Sequence, residues 1–344
     1  MTDPATAERA LRIGIAYPFD DRSLDAFRSV SPRLTFRIEP TADQAAADRV
    51  AANDLDALIG ARLPTDLTRV PSLRWMQVMS AGVENLVGPG ATRPWPAGIE
   101  LTNARGVYAV PIAQYTIAAI LSVAEKVEAR RAQQARGLWP DDPDDFVGAQ
   151  VRGSTLVIVG YGGIGREIAR IADALGMRVV AVKADPSVLA DDGFVVPGTG
   201  DPDGTIPERI VGLAHLVTVA READYLSVTL PLTATSRGVV GREVIAALPS
   251  HAWVINTGRG PVIDEAALDE ALAAGRIGGA ALDVFEEEPL PPTSPLWARP
   301  NVVITPHVAG SGARDEIQAL VTDNLRRFAE GEPLRNRVQV ERGY

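Results

Sequence analysis

Three short segments in the second half of the chain carry side chains able to act together: Asn256-Thr257-Gly258-Arg259-Gly260, Asp283-Val284-Phe285-Glu286-Glu287-Glu288-Pro289-Leu290 and Thr305-Pro306-His307-Val308-Ala309-Gly310. Arg259 offers a planar fork of donors that fits carboxylate and carbonyl oxygens at once, orienting a small anion and stabilising negative charge that develops on it. Histidine is the side chain type that exchanges protons near neutral pH, so His307 is a candidate general acid and base. Taken singly, each has a plain structural reading: a capped strand end for Arg259, one of three solvated carboxylates for Glu288, a packed ring for His307. Upstream of all three lies Gly160-Tyr161-Gly162-Gly163-Ile164-Gly165. The combination describes a redox site.

The glycine-rich turn has the context that gives it meaning. The apolar run Thr155 to Val159 precedes it as a strand buried on both faces. A helix opens on it with apolar positions Ile164, Ile168, Ile171, Ala172 and Leu175, stops at Gly176, and yields to a strand from Arg178 to Val182. In such a βαβ unit Gly160 permits the tight turn, Gly162 lets backbone approach a pyrophosphate, Gly163 and Ile164 start the helix whose N-terminus attracts phosphate, and Gly165 allows close helix packing. Lys183 ends the second strand and suits a 2′-phosphate by direct charge pairing, whereas Asp185 two residues later would repel one. Lys183 makes NADP the favoured dinucleotide; a short loop shift would present Asp185 to the ribose of NAD instead.

These motifs, in this order, resemble the D-isomer-specific 2-hydroxyacid dehydrogenase family over nearly the whole chain. The resemblance implies that Arg259 holds the substrate's carboxylate and carbonyl, that His307 is the proton donor and acceptor, and that Glu288 orients and charges it. It also implies that Met79-Ser80-Ala81-Gly82-Val83-Glu84 supplies backbone amides to the substrate carboxylate through Ser80, Ala81, Gly82 and Val83. By the same resemblance Leu230 and Pro231 are expected to cover the nicotinamide side, Asp283 to bond the carboxamide, and Thr257 to lie in the cofactor site. Glutamate at 288 argues against the formate dehydrogenase branch, which carries glutamine there. Ala113-Gln114 departs from the family's usual Ala-Glu, so any charge-dependent role at 114 is in doubt. The implied activity is reduction of a small 2-oxo acid, or oxidation of the 2-hydroxy acid, with NAD(P). Two rivals stand beside it: a dinucleotide-sensing corepressor-like protein, and a dehydrogenase for another small anion such as phosphite.

Composition bounds the partners. The formal net charge of -10 and pI near 5.0 oppose sequence-independent binding to nucleic acid or an anionic membrane. The chain has no cysteine, which excludes disulfides and thiolate metal sites and fits a reducing cytoplasm. No export pattern opens it and no apolar run approaches bilayer length. Asp141, Asp142, Asp144 and Asp145 read as a solvated loop, and no metal is assigned.

Positioning such a site requires two parallel-sheet domains, which 344 residues suffice to build. The first third alternates apolar and amphipathic runs, with strands expected at Leu11 to Ala16, Leu34 to Ile38, Ala57 to Ile59 and Arg74 to Val78. Thr41 and Gln44 form a capping box that opens a helix to Ala52. One helix is expected from Pro111 to about Gln134, the seat of a homodimer by the family resemblance. Later strands are read at Tyr225 to Leu230, Trp253 to Asn256, Gly279 to Val284 and Val302 to Thr305. A final helix runs from Ala313 to Phe328, and Asp191 to Pro207 is an insertion loop. The expected α/β architecture is a Rossmann dinucleotide-binding domain, 107–308, inserted in a flavodoxin-like substrate domain made of 1–106 and 309–344. With Lys183 facing the ribose, NADPH should show the lower KM, and Lys183→Asp should narrow or reverse the preference. One exposed ion pair is worth about 1 kcal/mol, so the bias measured by steady-state kinetics should be several-fold.

Overall fold

Strand-length apolar runs become all-parallel ladders throughout the computed structural model, which describes residues 9–87, 90–137, 139–191 and 193–342. The segment judged for an export pattern, 1–8, lies outside them. By internal contacts the chain divides into two compact units, 1–107 with 313–344, and 108–312.

In the first unit, β1 (Leu11–Ala16), β2 (Leu34–Glu39), β3 (Ala57–Gly60), β4 (Trp75–Gln77) and β5 (Glu100–Thr102) form a sheet of order β2-β1-β3-β4-β5. That is the flavodoxin-like order. Alternate residues face opposite sides. Ile13, Ile15 and Ile59 pack with Phe27 of α1 (Asp21–Ser29) and with Val321 and Leu325 of the C-terminal helix, while Leu58 and Met76 pack with Ala46 and Val50 of α2 (Gln44–Val50). The expected capping box does not form. Asp43 caps α2 by accepting from Ala46 N–H at 2.7 Å, and Gln44 donates instead to Leu63 O at 2.9 Å. Asp43, immediately ahead of the helix, is the N-cap, so the first turn starts two residues later than a Thr41 cap would set it. A four-residue turn, α3 (Glu84–Val87), follows β4.

The second unit opens on a correction. The helix expected from Pro111 to Gln134 is two, α4 (Ala109–Ala124) and α5 (Val127–Arg136), broken where Lys126 adopts φ 48°. The cause is non-local: Ala149 N–H takes the Ala124 carbonyl at 2.8 Å, and the Lys126 and Arg130 side chains bond the carbonyls of Asp145 and Phe146. Asp142, among the loop aspartates, caps the turn Pro143–Phe146. Then follow β6 (Thr155–Val159), α6 (Gly163–Ala174), β7 (Arg178–Lys183), β8 (Arg209–Gly212), α7 (Leu216–Ala220), β9 (Tyr225–Val228), α8 (Arg242–Ala247), β10 (Trp253–Asn256), α9 (Glu265–Ala273), β11 (Gly279–Leu282) and β12 (Val302–Ile304). Their order is β12-β11-β10-β9-β6-β7-β8, all parallel. The chain enters at β6, winds outward, and restarts at β9 on the other side, so β6 and β9 flank the switch point where doubly wound sheets bind ligands. Among the described residues no single helix is long and apolar enough to cross a membrane.

The last helix, α10 (Arg314–Glu330), returns to the first unit with Asp323 at the centre of an arginine cluster. Burial alone would raise the Asp323 carboxyl, but bonds from Arg327 at 2.9 Å, Arg326 at 3.2 Å and Arg335 at 3.3 Å hold it below the usual carboxylate range. A depressed folded-state pKa stabilises above the unfolded value, about 4, and that contribution vanishes as pH falls through the folded value. Asp323→Asn should therefore lower Tm at pH 7, with the gap to wild type closing as thermal melts are run at progressively more acidic pH.

Candidate active site

Every site residue expected in the second unit stands at or just beyond the C-terminal end of a strand. Gly160 follows β6, Lys183 ends β7, Leu230 and Pro231 follow β9, Thr257 and Arg259 follow β10, Asp283 and Glu288 follow β11, and His307 follows β12. Parallel strands deliver all these loops to one edge.

Glycines let the loops close on one another. Gly160 has φ 110°, and its carbonyl accepts from Thr229 Oγ1 at 2.7 Å. A methyl group on Gly165 would lie 2.2 Å from Gly160 O, one on Gly258 2.7 Å from Leu230 O, and one on Gly260 1.9 Å from the Phe285 carbonyl. Gly162 differs, because a Cβ there would meet nothing within 4 Å. It caps α6 without any side-chain acceptor for the first-turn N–H groups, which is the open cradle an anion needs. At the end of β10, Thr257 is buried and its Oγ1 lacks a hydrogen-bond partner. An uncovered helix N-terminus and an orphaned hydroxyl fit a nicotinamide dinucleotide. Lys183 Nζ donates to Val188 O, and Asp185 is occupied by the Ser187 hydroxyl and N–H, at 2.6 and 3.0 Å.

The structure brings Glu288 and His307 together. His307 Nδ1 lies 2.8 Å from Glu288 Oε2, with both side chains partly exposed, and Phe285 N–H donates to Glu288 Oε1 at 3.0 Å. With Nδ1 on the carboxylate, Nε2 is the ring nitrogen left to exchange a proton. Arg259 joins them through backbone: Gly260, next in sequence, rests on Phe285, whose N–H anchors Glu288. Arg259 is half-buried, and its Nη1 donates to Gly258 O at 2.8 Å. His307 itself has φ 55°. Asp283 fixes that turn, Oδ1 accepting from Thr305 Oγ1 at 2.6 Å and Val308 N–H at 2.9 Å, and Oδ2 from Ala309 N–H at 2.9 Å. Thr305 Oγ1 in turn meets Tyr115 OH at 2.7 Å. The remaining histidines lie elsewhere: His251 pairs with Asp224 at 2.7 Å, and His215 is exposed.

Ser80, Ala81, Gly82 and Val83 belong to the first unit, in the loop after β4. Ser80 Oγ donates to Gly82 O at 2.7 Å, Ala104 N–H to Ser80 O at 2.9 Å and Asn103 Nδ2 to Ala81 O at 2.8 Å, while Val83 is buried. Asn336 Nδ2 completes the frame by donating to the carbonyls of Asn103 and Arg105. Sequence reading missed Asn103, Asn336 and the Tyr115–Thr305 link; Thr305 alone lay in a quoted motif.

A Rossmann strand order with reactive side chains gathered at its switch edge defines a dinucleotide-dependent α/β oxidoreductase. Residues 117–309 match the family model described as D-isomer specific 2-hydroxyacid dehydrogenase, NAD binding domain. The glyoxylate reductase of Aeropyrum pernix is 34% identical over 300 residues, 84% of each chain. A D-isomer specific 2-hydroxyacid dehydrogenase family protein from Aeromonas salmonicida superposes with a TM-score of 0.79 at 27% identity, covering 96% of this chain and 99% of that one. The Xanthobacter autotrophicus Py2 enzyme of the same description, solved with NADPH and MES, gives 0.77 at 27% identity over 97% and 100%. The chain belongs to the D-isomer specific 2-hydroxyacid dehydrogenase family. As such it is an NAD(P)-dependent oxidoreductase acting on 2-hydroxy acids.

Two glycine substitutions separate cofactor binding from packing. Gly162→Ala enters open space and should leave stability nearly unchanged, within about 0.5 kcal/mol, while weakening dinucleotide binding in a fluorescence titration. Gly165→Ala must displace backbone and should destabilise the protein by about 2–3 kcal/mol in denaturant melts.

Proposed function

We propose that this enzyme reduces a small 2-oxo acid of the glyoxylate and hydroxypyruvate class to its 2-hydroxy acid, with NADPH favoured over NADH. The carrying observation is the 2.8 Å contact of His307 Nδ1 with Glu288 Oε2, which orients the imidazole and leaves Nε2 for the substrate. The substrate class is supported by the relative from Aeropyrum pernix and by a Yersinia pestis protein named glyoxylate/hydroxypyruvate reductase B, 34% identical over 284 residues.

In this reading the bound dinucleotide supplies a hydride to C2. His307 Nε2 gives its proton to the carbonyl oxygen, which becomes the hydroxyl, and Glu288 stabilises the imidazolium before transfer. Arg259 spans carboxylate and carbonyl, lowering the charge that builds on oxygen. We assign Ser80, Ala81, Gly82 and Val83 to the substrate carboxylate through backbone amides. Gly160, Gly162, Gly163, Ile164 and Gly165 take the pyrophosphate, Lys183 the 2′-phosphate, and Leu230, Pro231, Thr257 and Asp283 the nicotinamide half. Asp283 Oδ2 accepts from Ala309 N–H and has a second lone pair with which to accept a carboxamide N–H. The unit 1–107 with 313–344 is then the substrate domain and 108–312 the dinucleotide domain. The same reading places the enzyme in the cytoplasm as a homodimer, which light scattering tests.

Turnover of glyoxylate, hydroxypyruvate and longer 2-oxo acids with each reduced dinucleotide tests the reading, and no oxidation of NADPH with any of them overturns it. His307→Ala should cost about a thousandfold or more in kcat with dinucleotide binding intact. Arg259→Lys keeps charge but loses the fork, so kcat should fall and the oxo acid KM rise together. Unchanged kcat/KM in Arg259→Lys removes it from the site.

A further inference from the structure

The connection from β7 to β8 spans residues 184–208, far more than a typical strand connection needs, and its described residues form neither helix nor strand. Such a segment is expected to be loose. Instead it is fastened to α6 by side chains that the proposed chemistry leaves unused. Arg166, in the first turn of α6, is 2% exposed. Its guanidinium donates to Asp201 O and Leu189 O and lies 4.8 Å from the centre of the Tyr161 ring. Its Nε has no hydrogen-bond partner and faces Asp191 Oδ2 at 3.8 Å. Glu167, also buried, accepts from Gly200 N–H at 2.6 Å and from Arg170 at 2.6 and 2.8 Å. Asp201 accepts from Tyr161 OH at 2.6 Å, Thr205 N–H at 3.0 Å and Ile206 N–H at 3.1 Å. Burying two neighbouring charges of a helix and spending them on loop backbone is costly unless the loop's placement matters.

What the segment carries shows why. Val188, adjacent to the Leu189 that Arg166 holds, offers the carbonyl to which Lys183 Nζ donates. The Lys183 backbone is set by its ladder with Gly212, but an ammonium on a four-carbon stem is not. We infer that Tyr161, Arg166, Glu167 and Asp201 form a clasp that positions Lys183 for a 2′-phosphate, so that dinucleotide selectivity depends on side chains that do not touch the phosphate. This rests on the dinucleotide assignment above. The clasp orders the lysine before binding, and an ammonium already held loses less freedom when the ligand arrives. NADPH and NADH share the pyrophosphate cradle and differ only at the 2′ position, so their affinity ratio isolates the effect.

The test is fluorescence titration of both reduced dinucleotides against the full chain, with Tm recorded for each variant. Arg166→Met cuts both carbonyl ties, and Tyr161→Phe, which removes only the hydroxyl, is the variant that keeps the fold. Each should lower the NADPH-to-NADH affinity ratio by roughly three- to tenfold, chiefly through NADPH. In a Lys183→Ala background neither should lower it further. A ratio unmoved by Tyr161→Phe and Arg166→Met, while Lys183→Ala does move it, overturns the clasp and spares the dinucleotide assignment. An equal fall with and without Lys183 also overturns it, because the loop would then act elsewhere. A wild type that binds neither dinucleotide overturns both.

Discussion

The Asp283 carboxylate is the interaction on which the reactive edge depends. Buried at 2% exposure, it accepts two backbone N–H groups and one hydroxyl from the five residues Thr305 to Ala309. Those bonds offset the cost of burying a carboxylate and of holding His307 at positive φ, a conformation that disfavours a non-glycine residue. His307 N–H also donates to Asp283 O at 2.9 Å, so main chain and side chain of one residue determine where the imidazole starts. The Tyr115 hydroxyl anchors Thr305 from α4; burial pushes that phenol's pKa up, and it stays a neutral partner.

Parallel strands order the rest. Because each strand of the second unit ends at the same edge, residues such as Gly160 and Thr229, 69 positions apart, become neighbours. Close approach then becomes the limiting constraint, and glycine meets it at Gly165 against Gly160, Gly258 against Leu230 and Gly260 against Phe285. The last contact matters most for chemistry, since it couples the Arg259 turn to the N–H that anchors Glu288.

What could be read from the sequence follows from how local each signal is. Strands such as Leu11–Ala16, Thr155–Val159 and Trp253–Asn256 were legible because burial on both faces writes itself as an apolar run. β5 and β8 were not: each is a short edge strand opening on a charged residue, Glu100 and Arg209, and no residue of β8 is fully buried. The break between α4 and α5 escaped because its cause, Ala149 on the Ala124 carbonyl, lies 25 residues downstream and leaves no mark in the helical periodicity. The side chains to which the proposed chemistry is assigned stand out as motifs, since each sits in one strand-end loop. Their supports do not: Asn336 serving Asn103, and Asp201 serving Tyr161, join positions that no local pattern relates.

Of the three consecutive glutamates Glu286, Glu287 and Glu288, the family resemblance points to the last, and it is Glu288 that the structure brings to His307. Glu288 takes both the Phe285 N–H and His307 Nδ1, whereas Glu286 contributes its own N–H to Glu265. With Oε1 anchored on backbone, Oε2 presents an acceptor to Nδ1 at 2.8 Å, which favours the tautomer with a proton there. On the proposed assignment, a proton at Nε2 then exists only in the imidazolium, and giving it up leaves a neutral ring with its remaining proton on Nδ1. An amide at 288 could present its NH2 to Nδ1 instead. The neutral ring would then keep its single proton on Nε2, and releasing it would create an imidazolate. On that assignment a carboxylate, which can only accept, favours one direction of proton transfer as well as supplying charge.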